Sequence, residues 1–166
     1  MRKLSLLIIL CCFALTTVLV PADAEQAAIL NTQGMLMLVN RGNRISKTYE
    51  PEDLVLPRVE TRKASLQENI YLRREAAQAL ERMFETARLE EGYVLYAVSG
   101  YRSYGIQQLL FNAKVEEVGS REKAQRRVAL AGTSEHQLGL AIDIQAPAHL
   151  NLNQAFGQTP EGQWAG

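Results

Sequence analysis

Apolar side chains recur at helical spacing through the middle of the chain, with charged side chains on the opposite face. Over residues 69–89 the apolar positions are Leu72, Ala76, Ala79, Leu80, Met83, Phe84 and Ala87. This spacing predicts an amphipathic helix that ends at Gly92. Similar spacing over residues 104–118 predicts a second helix that ends at Gly119, and a polar capping sequence opens a third helix, predicted over residues 120–128.

Apolar and β-branched runs between the helices predict four short extended segments, at residues 35–39, 54–57, 93–98 and 140–144. Strands and helices interleave without a regular βαβ rhythm, which favours the α+β class. Residues 156–166 are typical of a loop that leads into a helix, and we expect the chain to end before that helix forms. An aromatic residue as large as Trp164 is unusual so near a terminus unless it docks on the core.

The first 24 residues differ from the rest. A basic start, an apolar run of about 17 residues and an Ala-x-Ala ending predict a secretory signal peptide at residues 1–24. Since this run is of marginal length for a bilayer core of roughly 30 Å, an uncleaved anchor is the alternative. We expect export to the periplasm, the cell envelope or the medium, with a flexible segment at residues 25–34 and one domain at residues 35–166.

The charge balance and the positions of the cysteines bear on the kind of partner that the protein binds and on how its fold is stabilised. The chain carries 18 basic and 18 acidic side chains, so its balance does not indicate a polyanion such as nucleic acid as a partner. Both cysteines, Cys11 and Cys12, lie inside the predicted signal peptide. The exported part therefore depends on an ordinary hydrophobic core rather than on disulfides.

Residues 132–143 place an imidazole and a carboxylate, His136 and Asp143, around a turn of small residues. Such nitrogen and oxygen donors are common zinc ligands. Seven residue steps separate the two α-carbons by roughly 23 Å on a straight strand and about 10 Å on a helix, so binding one ion requires a bend. We place the bend at residues 137–139, because Gly139 accepts positive φ at little cost. The alternative is structural: His136 caps a turn and Asp143 ends a strand.

A second motif, Ser-Gly-Tyr-Arg-Ser-Tyr at residues 99–104 with Gln107 behind it, closes a predicted strand and opens a predicted helix. Binding groups often gather where rigid elements meet loops. The planar guanidinium of Arg102 offers donors that suit a carboxylate or a developing oxyanion. Taken alone, Arg102 is more typical of a surface ion pair.

Taken together, the two motifs are more specific. Ser-Gly-Tyr-Arg-Ser-Tyr-x-x-Gln at residues 99–107 and Ser-x-His-x-x-Gly-x-Ala-x-Asp at residues 134–143 resemble the zinc D-alanyl-D-alanine carboxypeptidases of the vancomycin-resistance type and the related peptidoglycan L,D-carboxypeptidases. Residues 38–40 and 49–54 are similar to the amino-terminal region of that family. The resemblance covers residues 35–164, which is nearly all of the predicted mature chain.

The resemblance implies both a fold and a site. The fold is a small antiparallel sheet with packed helices, shared with the hedgehog amino-terminal domain. His136 and Asp143 would be two of three zinc ligands, and Arg102 would contact the substrate and stabilise the tetrahedral oxyanion. Ser134 and Gln107 match positions that line the substrate pocket. The implied chemistry is attack of zinc-bound water on the amide before a C-terminal D-alanine of a peptidoglycan stem peptide.

The sequence departs from the family at its carboxyl end. Relatives continue into a further helix, a strand and an ending that supplies the general base and the third zinc ligand, whereas this sequence ends at Gly166. His149 matches no family motif, which favours a loop residue, and the nearest acids, Glu135 and Glu161, do not correspond to the catalytic glutamate. We therefore expect an incomplete zinc site and an inactive or very weak chain, and leave open that a separate chain supplies the missing segment.

Three functional hypotheses stay open on this basis. The leading one is a carboxypeptidase domain for stem peptides whose machinery is incomplete in this chain. The second is a protein that binds stem peptides without cutting them. The third is a non-functional product, because loss of the last helix and strand would uncover a sheet edge and an apolar face. The residues do not distinguish D,D- from L,D-specificity.

Overall fold

The computed structural model describes residues 35–62 and 70–166. The predicted signal peptide, residues 1–24, and the predicted flexible segment, residues 25–34, lie outside the described residues. In the described part of the chain, no helix combines the length and the apolar character that crossing a membrane requires.

Short strands and longer helices alternate along the chain. The strands are β1 (Leu54–Val55), β2 (Leu72–Arg73), β3 (Tyr96–Ser99) and β4 (Asp143–Gln145). The α-helices are α1 (Arg74–Thr86), α2 (Tyr104–Val118), α3 (Arg121–Gln125) and α4 (Pro160–Ala165). One π-helical turn, Ala87–Glu91, extends α1, and two 3-10 turns lie at Glu135–Leu138 and Gln154–Gln158.

The predicted helix at residues 69–89 forms, but it begins later than expected. Leu72 lies in β2 and is buried there, and α1 starts only at Arg74. Helical spacing alone cannot identify this boundary, since the same apolar side chain packs on the core from either element. At the other end, the π-helical turn ends at Gly92, as predicted.

The second and third helices show how polar caps determine helix starts. The Ser103 hydroxyl accepts a hydrogen bond from the Ile106 amide at 3.3 Å, which begins α2, and α2 ends at Gly119 as predicted. The Ser120 hydroxyl accepts one from the Lys123 amide at 3.3 Å, which begins α3. However, α3 ends at Gln125 and not at residue 128, and a turn follows it.

The small antiparallel sheet that we expected forms, in the described residues, as two ladders. β1 pairs with β2, and β3 pairs with β4 with Tyr96 opposite Gln145 and Ser99 opposite Asp143. A register irregularity separates these two pairs. The prediction of a strand at residues 35–39 is wrong: this segment forms no ladder, although Val39 is buried against Ile45 and Leu138. Its apolar pattern reflects packing rather than strand pairing.

The core consists of clusters that join helices to ladders. One cluster joins α1 to β2 and β3 through Ile70, Leu72, Ala77, Leu80 and Ala97. A second cluster, formed by Ala87, Leu95 and Ala146, is covered by the ring of Trp164. The expectation that the chain ends before a terminal helix is therefore wrong. Residues Pro160–Ala165 form α4, which Thr159 caps. The helix packs the partly buried side chain of Trp164 against this cluster, as we expected for a large aromatic residue near a terminus.

Candidate metal and substrate site

Backbone hydrogen bonds bring the two predicted motifs together. The β3–β4 ladder places Asp143 opposite Ser99. Directly after β3, the Tyr101 amide donates to the Tyr71 carbonyl at 2.7 Å, and the Arg102 amide donates to the His136 carbonyl at 3.1 Å. Residues more than thirty positions apart therefore share one site, and the main chain holds them there.

The two nitrogens of the His136 imidazole face different groups. Its Nδ1 lies 2.8 Å from the Gly100 carbonyl oxygen, and its Nε2 lies 3.6 Å from Asp143 Oδ2. Because a carbonyl oxygen only accepts, Nδ1 must carry the proton, which leaves the Nε2 lone pair of the neutral ring directed toward Asp143. A backbone carbonyl that fixes the tautomer in this way is typical of metal-binding histidines.

The bend between the two groups lies where we predicted it. The 3-10 turn Glu135–Leu138 ends at Gly139, whose φ is 69°. A β-carbon there would lie 2.9 Å from Leu54 Cδ2 and 3.2 Å from Arg73 Cγ. Both the positive φ and the close packing therefore require glycine.

The guanidinium of Arg102 binds the same carboxylate. Its Nη2 donates to Asp143 Oδ2 at 3.1 Å, and its Nη1 donates to Gln107 Oε1 at 3.2 Å. Its Nε is buried and has no hydrogen-bond partner among the described residues. The side chains are 15% exposed for His136, 18% for Arg102 and 35% for Asp143, so the cluster is largely screened from solvent yet open at the carboxylate.

Gln107 supports Arg102 from behind. The residue is buried, its Oε1 accepts from Arg102, and its Nε2 donates to the Ala129 carbonyl at 2.7 Å. Both ends of the amide are therefore engaged within the protein. Its position on the first turns of α2 fixes the direction of the guanidinium, and the predicted contact of Gln107 with substrate stays a prediction.

Opposing effects determine the pKa values at this site. Burial acts to raise the pKa of Asp143, but the neighbouring His136 and Arg102 outweigh it and lower that pKa below its ordinary value. His136 can act on this pKa by hydrogen bonding or charge only when its ring is protonated, whereas the guanidinium of Arg102 always carries its charge. Burial disfavours the charged form of Arg102 as well and so lowers the pKa of its guanidinium, while the charge of Asp143 acts to raise it. The carboxylate is thus kept ionised, as a metal ligand must be.

Ser134 lines a groove next to His136. It is buried at the start of the 3-10 turn, with its hydroxyl not used as a cap. Together with His136 it lines a groove of about 390 Å³ that extends to the segment after α3. This volume is within the range of about 300–1,000 Å³ that is usual for ligand sites.

The donor pair fits a zinc ion in chemistry and in spacing. Bonds of about 2.0–2.2 Å at a tetrahedral angle place two ligand atoms roughly 3.4 Å apart, and His136 Nε2 lies 3.6 Å from Asp143 Oδ2. Over residues 35–62 and 70–166, no group of three or more histidine, cysteine, aspartate and glutamate side chains could hold a metal. The described residues therefore offer two candidate ligands, whereas a catalytic zinc normally has three from the protein.

The remaining candidate residues lie elsewhere or stay without an assigned role. His149 Nε2 lies 3.1 Å from Asn153 Oδ1 in the loop after β4, which agrees with the prediction of a loop residue. Glu135 is exposed beside the site, and Glu161 lies in α4. We did not predict the Gly100 carbonyl as a partner of the imidazole, because a backbone oxygen leaves no signal in the sequence.

Comparison with known proteins confirms the family that the two motifs indicated. Residues 69–166 match the family model VanY, described as D-alanyl-D-alanine carboxypeptidase. The chain is 48% identical over 140 residues to YodJ of Bacillus subtilis, which is named as a carboxypeptidase. That match covers 82% of this chain and 50% of YodJ. The chain spans about half the length of the curated relatives it matches.

Two solved structures are similar to the chain. One is the LD-carboxypeptidase LdcB, solved to explain peptidoglycan recognition, with a TM-score of 0.73, 45% identity, and coverage of 81% of this chain and 63% of LdcB. The other is a variant of the vancomycin-resistance D,D-pentapeptidase VanY in complex with Zn(II), with a TM-score of 0.56, 32% identity, and coverage of 76% of this chain and 70% of VanY. They confirm the α+β fold. The matches give no support for a separate chain that completes the site.

Proposed function

Because the chain belongs to the VanY family of D-alanyl-D-alanine carboxypeptidases, we propose that it carries a zinc-dependent site for C-terminal D-alanine of peptidoglycan stem peptides. The observation that supports this most is the arrangement around one carboxylate. His136 Nε2 lies 3.6 Å and Arg102 Nη2 lies 3.1 Å from Asp143 Oδ2. The two proposed metal ligands and the guanidinium proposed to bind the substrate carboxylate thus lie side by side.

His136 and Asp143 would hold the ion. The Gly100 carbonyl fixes the imidazole with Nε2 free to coordinate, and Arg102 helps to keep the carboxylate ionised. Zinc bound there would supply Lewis acidity and a water of lowered pKa. The same residues leave at least two tetrahedral positions to water or to groups outside the described residues.

Arg102 would bind and orient the peptide. Its guanidinium is fixed by Asp143 and Gln107, so little side-chain entropy is lost when it meets a carboxylate or a developing oxyanion. Its unpaired, buried Nε–H provides a further donor at the site. Ser134, in the adjoining groove, would contact the same ligand.

We further propose that this chain alone is an inefficient catalyst. Two protein ligands hold zinc less firmly than three, and the described residues place no acid at the site besides Asp143, which is already a ligand, and the exposed Glu135. A missing general base costs about 10² to 10⁴ in rate. The same observation favours a second candidate function, recognition of stem-peptide ends without cleavage, because Arg102 and the groove do not depend on the third ligand.

The experiment measures binding and release together. The purified full chain is titrated with matched synthetic peptides that end in D-Ala-D-Ala or in L-Ala-L-Ala, with zinc or with a chelator, and free alanine is assayed. We expect preference for the D-peptide, loss of binding in Arg102→Ala, and release near background. Equal binding of both peptides would overturn the proposed site. Robust zinc-dependent release of D-alanine would show that the site is complete.

Export is part of the proposal. Export depends on the predicted signal peptide at residues 1–24. The basic start and the apolar run of that segment support the proposal. Expression with the native amino terminus, followed by amino-terminal sequencing of the product, tests it. A product that begins at Glu25 is expected, whereas one that retains Met1 would support the uncleaved anchor.

A further inference from the structure

The groove beside the site is lined by two chemically different sets of side chains. Ser134 and His136 belong to the candidate site. The lining also includes three arginines, which we call the basic wall: Arg41 from the segment before β1, and Arg126 and Arg127 from the turn after α3. The groove thus joins the candidate metal site to a strongly basic surface.

The positive charge of this wall is only partly balanced by nearby acids, since of the three arginines Arg127 alone is close enough to Glu117 to affect its pKa. All three arginines are exposed, and none forms an ion pair with another described residue. Arg41 Nη2 donates to the Gln125 carbonyl at 2.8 Å, which holds it at the wall without cancelling its charge. Glu135 is the one acid among the described residues that line the groove. Since the whole chain is formally neutral, the excess is a local feature.

We infer that this basic wall binds an internal carboxylate of the stem peptide, in addition to its C-terminal end, so that the site prefers anionic peptides. The inference rests on the proposed function. The C-terminal carboxylate of the ligand lies one residue, at most about 3.6 Å of chain, from the scissile bond, and it is therefore confined to the neighbourhood of His136 and Arg102. The exposed guanidinium forks of Arg126 and Arg127 are then available to a carboxylate further along the peptide.

The test compares binding rather than turnover. Two fluorescent synthetic peptides end in D-Ala-D-Ala and differ at one internal position, which is glutamate in one and glutamine in the other. Anisotropy titration of the full chain is expected to show about threefold to tenfold tighter binding of the glutamate peptide at low salt, since exposed charge pairs each contribute a few-fold. This preference should shrink at high salt because the charges are then screened.

The variant Arg126→Gln/Arg127→Gln should remove the preference, and Arg82→Gln, which alters an exposed arginine of α1 outside the groove, should keep it. Preference that survives in the double variant would overturn the inference. A third peptide with an amidated C-terminus separates the two carboxylates. If the double variant loses only the response to that amide, the wall binds the terminal carboxylate and the inference is wrong. If no D-alanine peptide binds at all, the proposed function fails with it.

Discussion

His136 and His149 lie at similar distances along the chain from Asp143, seven residues before it and six residues after it. The fold nevertheless treats them differently. The imidazole of His136 lies between the Gly100 carbonyl and the Asp143 carboxylate, inside a largely buried cluster. The imidazole of His149 contacts Asn153 and lies 6.3 Å from the ring of Phe156 in the following loop.

The comparison shows that proximity in sequence does not make a ligand. His136 meets Asp143 because a 3-10 turn and Gly139 reverse the chain, and because the end of β3 supplies a carbonyl that fixes the ring. His149 follows β4 in the chain, and its side-chain partners, Asn153 and Phe156, both come from the segment directly after it. To serve as a metal ligand, an imidazole thus needs one partner that fixes its tautomer and a second ligating side chain close to its free nitrogen.

The largest expected effect is on zinc affinity. Substitution His136→Ala removes one of two proposed ligands, so zinc binding to the full chain should fall below detection, whereas His149→Ala should leave it unchanged. Isothermal titration calorimetry at neutral pH measures both variants against the unaltered chain. Tight binding that survives His136→Ala, or is lost in His149→Ala, would reverse the assignment of the two histidines.

A second experiment tests whether the turn that carries His136 is more constrained than the region after His149. Gly139→Ala places a β-carbon 2.9 Å from Leu54 Cδ2 at a φ of 69°, and should destabilise the fold by about 2–4 kcal/mol. Gly157→Ala is the matched control, because nothing lies within 4 Å of its new β-carbon and its φ is not positive. It should change stability by less than about 0.5 kcal/mol.

Urea unfolding followed by circular dichroism measures both glycine variants. Equal effects at the two positions would mean that the turn before Asp143 is no more constrained than the later loop. The geometric origin of the site would then need another explanation.

The smallest effect expected is the pH dependence of the cluster. The folded-state pKa of Asp143 is lowered relative to 3.8, because His136 and Arg102 outweigh the effect of burial. A lowered pKa stabilises the fold fully above the unfolded value and ceases to do so as pH falls through the folded value. In metal-free buffer, Asp143→Asn should therefore be less stable than the unaltered chain at pH 7, with the gap narrowing below pH 3.8.

Urea midpoints at pH 7, 5 and 3 measure this gap, with Glu135→Gln as a control at an exposed position of the same turn. The control should differ little from the unaltered chain at neutral pH. A gap for Asp143→Asn that stays constant down to pH 3 would contradict the stabilisation of the carboxylate by His136 and Arg102.

Local signals in the sequence were sufficient for several elements. The spacing of apolar residues identified the segment of α1, and the Ser120 cap and the position of Gly119 bounded the neighbouring helices. The bend at Gly139 was predictable because only glycine adopts positive φ without strain. Where packing and pairing compete, the pattern failed: the apolar run at residues 35–39 predicted a strand, yet Val39 packs in the core without a ladder partner.

The sequence by itself determined the family and which functional groups are present at the site, since the motifs around Arg102 and His136 contain those side chains. Tertiary structure alone decided which atoms meet. The β3–β4 register brings Asp143 to the end of β3, the Gly100 carbonyl selects the imidazole tautomer, and Gln107 becomes a buried support for Arg102. These contacts form between backbone groups and side chains that are distant along the chain. No periodicity within either segment encodes them.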